Sequence, residues 1–305
     1  MNRRACELAV AGLAEEQEGV ASRRQLALLG IDHDDIRREA EAGRWAVRGT
    51  QTVGLHQGPS SVVARRWSAI WETGAAIGVL DGASALQQAG LSGYDDNDVH
   101  LSVVHNHNTR PLPGVRIHKV IRRVSGEVVD VGVPRTRPEV AAVRAAHWAQ
   151  SDRQAALLLL MPVQQRLTTP TRLAAAQRLV RGRTRRSFIR GVVRDIAFGV
   201  QSLGELDFAR LCRARGLPEP SRQVVRQGDK GRIYLDVRWD GRCLVVEIDG
   251  LHHGLGLSPM LDHLRQNSVT LAGDRVLRID VLGLRLETAR FMDQVEVGLR
   301  LAAAA

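Results

Sequence analysis

A two-residue turn within a strand pair is the strongest structural signal in this chain. The segments RIYLDVRW and RCLVVEID alternate apolar with polar residues and are joined by Asp240 and Gly241. Asp-Gly between alternating segments is typical of a hairpin closed by a type I′ turn. The alternation places seven apolar side chains on one face of the pair: Ile233, Leu235, Val237, Trp239, Leu244, Val246 and Ile248. This face is predicted to pack in a core.

The opposite face of the hairpin carries acidic residues. A two-residue turn predicts that Asp236 pairs with Val245 and that Tyr234 pairs with Glu247, so that Asp236 and Glu247 are diagonal neighbours. Diagonal neighbours are separated by roughly 7–8 Å at Cα, which lets two carboxylates reach one divalent cation. Asp249 shares the same face, two residues beyond Glu247.

Carboxylates on a common face repel one another unless a cation, solvent or a basic partner compensates. A purely structural hairpin has little reason to place Asp236, Glu247 and Asp249 on one face without intervening basic partners, because burying them together would be costly. The alternative is an exposed face on which Arg232 or Arg238 serves as a surface partner. We predict a metal site in which Asp236 and Glu247 are the ligands.

The length and composition of the chain limit its class. A chain of 305 residues is long for one core and predicts two or three domains. The N-terminus has no uninterrupted apolar stretch, and no window approaches the roughly 18 apolar residues of a membrane span. We therefore expect a cytoplasmic protein without a membrane partner. Its cysteines lack metal or disulfide spacing and are expected to be core residues: Cys6, Cys212 and Cys243.

Residues 1–58 carry helix signals in series. Ser22 and Asp32 are candidate N-caps, and Gly19, Gly30 and Gly43 are candidate helix ends. The segment RWAVRGTQTVGL that follows alternates as a short hairpin does. Three helices and a hairpin predict a winged helix-turn-helix domain.

The motifs GVASRRQL, GRW and RG of this segment resemble the N-terminal domain of AbiEi-type antitoxins from abortive-infection systems, over about 55 residues. The resemblance implies DNA binding, and a cognate toxin or defence-system protein as partner. The third helix is acidic, which suits a phosphate-lined groove poorly. Protein contact or intramolecular packing is the alternative role for its acids: Asp34, Asp35, Glu39 and Glu41.

Residues 59–200 are predicted to form a mixed α/β region, and their net charge of +10 equals that of the whole chain, because the segments on either side cancel. No acidic residue lies between Asp152 and Asp195, whereas this stretch is rich in arginine. We predict that it contacts nucleic-acid phosphates through Arg181, Arg183, Arg185 and Arg186. The alternative is a solvated arginine-rich helix face. Four histidines are expected to be exposed loop and strand residues rather than a metal cluster: His100, His105, His107 and His118.

The C-terminal motifs YLD, VVEIDGLHH, DHLRQN and LAGDRVLRI resemble the PD-(D/E)xK nuclease superfamily, specifically the bacterial domain related to very-short-patch-repair endonucleases, over about 100 residues. The resemblance implies a restriction-endonuclease-like domain at residues 201–305, with a mixed sheet flanked by helices. Together with the N-terminal and middle regions, this domain predicts an α/β (α+β) fold class for the chain. Asp236 and Glu247 match the first and second acids of the motif. Glu205 matches a helix glutamate near the metal, although a capping box with Ser202 is its alternative role.

The chain departs from the family at one catalytic position, because Asp249 stands where the family has a lysine. Arginine cannot replace that lysine as a base, but His253, or less favourably His252, could position or deprotonate the attacking water. Arg265 matches a family arginine and would hold the phosphodiester. The leading expectation is a Mg²⁺- or Mn²⁺-dependent DNA endonuclease of phage defence or DNA repair. The alternative is a non-catalytic DNA-binding regulator of the antitoxin type with a degenerate nuclease domain.

Overall fold

The computed structural model describes residues 3–198, 204–227, 233–239, 242–249, 263 and 276–303. The chain is mixed α/β and divides into two compact units, Met1–Arg144 and Ala145–Ala305. The boundary at Arg144 falls inside the predicted middle region 59–200. Among the described residues, no helix has both the length and the apolar character needed to cross a membrane.

The first unit begins with three helices and a small sheet. These elements are α1 (Arg3–Glu16), β1 (Val20–Ser22), α2 (Arg23–Leu28), α3 (His33–Glu41), β2 (Ala46–Val47) and β3 (Thr52–Gly54), and the antiparallel sheet has the order β1-β3-β2. Ser22 caps α2 in a capping box with Gln25, and Asp32 caps α3 in a capping box with Asp35. Both predicted N-caps are therefore confirmed, because each side chain accepts a hydrogen bond from a backbone N–H group that the helix leaves unpaired.

A second sheet completes the first unit. Its elements are α4 (Val62–Thr73), β4 (Val79–Leu80), α5 (Gly82–Gln88), β5 (Val99–Val104), β6 (Val115–Val120), β7 (Val128–Val129) and β8 (Arg135–Thr136). The sheet has the order β6-β5-β4-β8-β7, with β5 parallel to β6. The division between the two units falls within the next helix, α6 (Pro138–Trp148).

The second unit has helices followed by a four-stranded sheet. Its elements are α7 (Asp152–Gln164), α8 (Pro170–Leu179), α9 (Arg186–Phe198), α10 (Gly204–Ala214), β9 (Arg222–Gln227), β10 (Ile233–Trp239), β11 (Arg242–Asp249), β12 (Val276–Asp280), α11 (Val281–Leu286) and α12 (Thr288–Ala303). The sheet has the order β12-β11-β10-β9, in which β9, β10 and β11 are antiparallel and β12 is parallel to β11. The strand β9 was not predicted from the sequence.

One face of this sheet is apolar, as the alternation predicted. Five of the predicted apolar residues are at most 3% exposed: Val237, Trp239, Leu244, Val246 and Ile248. Leu277 and Ile279 of β12 and Phe291 of α12 are also buried, and α12 packs on β11 and β12. Burial of this face is a main source of stability for the unit. Cys6 and Cys212 are buried and free, in agreement with their predicted core role.

Candidate functional site

The strand register places Asp236 directly opposite Glu247 rather than diagonally from it. Near the turn, Trp239 pairs with Arg242 as a two-residue connection requires, but Arg238 pairs with Val245. The register shift between Arg238 and Trp239 is therefore a bulge that leaves two extra residues on β11. From Arg238 onward, away from the turn, each residue of β10 pairs with a β11 residue two positions later than was predicted. An even shift keeps every side chain on its face, so the division into a polar and an apolar face survives. The turn residues Asp240 and Gly241 lie outside the described residues.

Direct pairing brings the two acids closer than the sequence predicted. Opposite residues of an antiparallel pair have Cβ atoms about 4.5–5.5 Å apart, so the positions of Asp236 and Glu247 suit two carboxylates that share one cation. Tyr234 in turn pairs with Asp249, which keeps Asp249 on the same face.

Glu247 has a basic partner that the sequence did not suggest. Arg278 is its register partner on the parallel strand β12, and the Arg278 Nε donates to Glu247 Oε2 over 3.1 Å. The Glu247 side chain is 30% exposed and that of Arg278 is 47% exposed, so solvent screens the pair. The expectation that the acids have no intervening basic partner was wrong for Glu247, because the partner comes from a strand distant in sequence.

Several predicted site residues cannot be placed against this pair. Residues His252, His253 and Arg265 lie outside the described residues, and for Asp236, Asp249 and Glu205 only the backbone is described. Glu205 is in the first turn of α10. Among the described residues, no three His, Cys, Asp or Glu side chains are grouped to hold a metal ion. The metal ligands Asp236 and Glu247 therefore stay a prediction.

Asp280 is an acidic residue that the sequence reasoning missed. It ends β12 as the register partner of Asp249, and it is 7% exposed. Its Oδ1 accepts a hydrogen bond of 2.6 Å from the backbone N–H of Gly283 and so caps α11. Burial raises the pKa of Asp280, against the opposing effect of the Gly283 N–H. The signal in the sequence was an acid between an apolar strand and an apolar helix, a pattern that usually indicates a cap alone.

The arginine-rich turn between α8 and α9 is held by the end of α6 and by the segment that leads into α7. His147 Nδ1 donates to the carbonyl oxygen of Thr184, and Arg185 donates to Asp152 Oδ1 over 2.8 Å and to the carbonyl oxygen of Gln150 over 2.9 Å. Arg185 is thus engaged within the protein. The other predicted phosphate contacts are exposed: Arg181, Arg183 and Arg186.

The acidic residues of α3 divide into two groups. Asp35 and Glu39 are 3% and 2% exposed, and Glu39 is paired with Arg44 through two hydrogen bonds of 2.6 and 2.9 Å. Asp34 and Glu41 are exposed and pair with Arg37. The buried acids of α3 therefore serve intramolecular packing, which was one of the two alternative roles considered for them.

Two of the four histidines predicted to be exposed are instead half-buried and joined to each other. His100 Nδ1 lies 3.0 Å from His118 Nε2, and His100 Nε2 lies 3.1 Å from Asp96 Oδ2. A carboxylate only accepts, so His100 donates through Nε2 and His118 donates to His100 Nδ1. The rings also stack, with centroids 5.1 Å apart. The prediction failed because parallel pairing of β5 with β6 brings together histidines 18 residues apart.

This pair makes the stability of residues 1–144 sensitive to acid. Burial, followed by the charge of a protonated His100, lowers the pKa of His118 to about 4. The unfolded chain binds this proton near pH 6.5, so between pH 6.5 and 4 the unfolded state holds more protons and stability falls as the pH falls. Between pH 7 and pH 4 this residue is expected to lower the free energy of unfolding of the wild type by about 3 kcal/mol. His118→Gln should abolish this part of the loss, as measured by urea unfolding at the two pH values. The exposed His33→Gln should leave the loss unchanged; an equal effect of the two variants would contradict the assignment.

A buried charge network lies in the same unit. Arg144 donates to Asp81 Oδ2 over 2.7 Å and to the two carboxylate oxygens of Glu127 over 2.9 and 2.8 Å. Arg123 donates to Glu127 over 3.1 Å. The side chains of Asp81, Glu127 and Arg144 are at most 5% exposed. The two acids and two arginines compensate one another, as buried charges require.

Comparison with known proteins assigns no family. No family model matches the chain, and no curated protein matches it. Among solved structures, the crystal structure of the RV2827C protein from Mycobacterium tuberculosis is similar, with a TM-score of 0.40 and 15% sequence identity over 74% of this chain and 90% of that one. A likeness of this size carries no argument about function.

Proposed function

We propose that the second unit is a metal-dependent DNA endonuclease. The observation that carries the proposal is the register of β10 and β11, which sets Asp236 directly opposite Glu247 on the polar face of the sheet. The mixed sheet, with helices before and after it, has the form that the resemblance to the PD-(D/E)xK superfamily implies.

The donor set fits a hard divalent cation, because carboxylate oxygens are the ligands that Mg²⁺ and Mn²⁺ prefer. Asp236 and Glu247 would hold the cation, which when bound lowers the pKa of a water molecule and stabilises the charge of the phosphodiester transition state. Glu247 must exchange its ion pair with Arg278 for this role, and the exposure of that pair makes the exchange inexpensive. His253 and Arg265 keep their proposed roles in proton transfer and phosphate binding.

A non-catalytic DNA-binding regulator is the second candidate. The ion pair between Glu247 and Arg278 favours it, because this pair satisfies the carboxylate without a metal. The three helices and hairpin at the N-terminus support it further, since they suit the winged helix-turn-helix of an AbiEi-type antitoxin. In this role the partners would be DNA and a cognate toxin or defence-system protein.

Cleavage of DNA separates the two candidates. The purified chain is expected to cut plasmid, nicked or mismatched duplex in Mg²⁺ or Mn²⁺ and to be inactive in EDTA. Asp236→Ala and Glu247→Ala should each lower the cleavage rate by at least a hundredfold, since each removes a proposed metal ligand. The control is Glu296→Ala, which removes an acid paired with Arg300 on α12. Cleavage that persists in both site variants, or is absent from the wild type in every metal, rejects the nuclease.

A further inference from the structure

Two buried polar atoms face each other at the end of β12 without a hydrogen-bond partner. Asp280 uses Oδ1 for its cap on α11, whereas its Oδ2 is buried and has no hydrogen-bond partner among the described residues. His263 Nδ1 is likewise buried and without a partner in the described part of the chain, and it lies 3.8 Å from Asp280 Oδ2. The two side chains are 10% and 15% exposed.

This arrangement is costly unless a protonated His263 pairs with the Asp280 carboxylate across 3.8 Å or a third species joins the two atoms. A separation of 3.8 Å is too long for a hydrogen bond, and a buried carboxylate oxygen or imidazole nitrogen loses its hydration without compensation. A metal ion with ligand bonds of about 2.1 Å could reach both atoms from a point between them. The cap on α11 does not compete, because it uses the other carboxylate oxygen.

We infer that Asp280 Oδ2 and His263 Nδ1 are ligands of a divalent transition-metal cation of the Mn²⁺ type. The position of Asp249, opposite Asp280 in the parallel register, is the place from which a third ligand would come. Asp249 follows Glu247 by two residues on the same strand, so this pair would extend the acidic face of the sheet. The inferred metal site would thus belong to the proposed nuclease site, and its role in catalysis rests on the proposed function.

The ligand types specify the class of metal. Mg²⁺ keeps oxygen ligands and most of its water, whereas imidazole nitrogen together with carboxylate oxygen suits first-row transition metals. Mn²⁺ accepts both ligand types. The presence of His263 therefore predicts a preference for Mn²⁺ over Mg²⁺, which Asp236 and Glu247 alone would not give.

Titration of the full-length chain with Mn²⁺, followed by electron paramagnetic resonance at pH 7, tests this site. Asp280→Asn and His263→Gln are each expected to weaken Mn²⁺ binding at least tenfold. Asp280→Asn keeps an oxygen that can accept from Gly283, which preserves the cap. Asp293→Asn, on an exposed acid of α12 that pairs with Arg215, is the matched control and should leave Mn²⁺ binding unchanged. In competition experiments, His263→Gln should weaken the binding of Mg²⁺ less than it weakens the binding of Mn²⁺.

Thermal unfolding with and without Mn²⁺ provides a second measurement that does not depend on activity. Mn²⁺ should raise the Tm of the wild type and of Asp293→Asn, and this rise should be clearly smaller in the two site variants, which keep the proposed ligands Asp236 and Glu247. If Asp280→Asn and His263→Gln fold and bind Mn²⁺ with unchanged affinity, the inference is overturned. That result is expected if a protonated Asp280 bonds His263 directly and no metal lies between them. That outcome leaves the nuclease standing if Asp236→Ala still abolishes cleavage. Weakened Mn²⁺ binding in a chain that cuts no DNA would instead support the site and reject the nuclease.

Discussion

Replacing Arg144 by methionine is expected to lower the free energy of unfolding of residues 1–144 by about 3–5 kcal/mol. The variant leaves Asp81 and Glu127 buried, with Arg123 as the cation of the network that remains. Removing one partner of a buried ion pair costs far more than the pair contributes, because an uncompensated charge stays in a medium of low dielectric constant. Urea unfolding followed by tryptophan fluorescence measures the loss, since Trp45, Trp67 and Trp71 all lie in this unit.

Two further variants make the measurement specific. Adding Glu127→Gln to Arg144→Met should recover part of the loss, because it neutralises one of the stranded acids. Arg116→Met removes an exposed arginine paired with Asp98 and should cost less than about 1 kcal/mol. A loss of similar size in Arg116→Met and Arg144→Met would contradict the view that burial of the network sets the cost.

Local features of the fold were predictable because the residues that cause them are adjacent in sequence. Ser22 and Asp32 cap their helices through backbone N–H groups three residues away. Alternation over β10 and β11 is likewise a property of a single strand pair, and it correctly divided the pair into a polar and an apolar face.

Features that depend on how distant segments pack together were not predictable. Arg278 reaches Glu247 over 31 residues and Arg144 reaches Asp81 over 63, in each case because the fold brings distant segments together. A single sequence gives the apolar pattern of each strand, but it does not say which strands are neighbours. The half-buried histidine pair was missed for the same reason.

The candidate site was predicted in composition but not in geometry. The face shared by Asp236, Glu247 and Asp249 followed from the period of two along a strand. The bulge beside Trp239 could not be foreseen, because no glycine or other signal in the strands marks it, and it turned a diagonal pair into a direct one. Asp280 was missed because an acid between an apolar strand and an apolar helix indicates a helix cap, and the sequence does not show that its second carboxylate oxygen is buried without a hydrogen-bond partner among the described residues.

The triple variant Arg181→Gln, Arg183→Gln and Arg186→Gln is expected to weaken binding to duplex DNA about a hundredfold near physiological salt. These three arginines are exposed, whereas Arg185 is tied to Asp152 and holds the turn in place. For each phosphate contact that is lost, binding releases about one counterion fewer from the DNA. The slope of log K against log salt should therefore become shallower by about 3. Fluorescence anisotropy of a labelled duplex over a series of salt concentrations measures both quantities.

The control for this variant removes the same charge from another part of the second unit. Three exposed arginines that pair with acids serve this purpose: Arg213, Arg290 and Arg300. Their replacement by glutamine lowers the net charge equally, so it reports the effect of overall charge on binding. If the two triple variants lose affinity and salt dependence to the same extent, the turn between α8 and α9 is not the contact. A loss confined to the first variant assigns phosphate binding to the turn, whether the chain cuts DNA or only binds it.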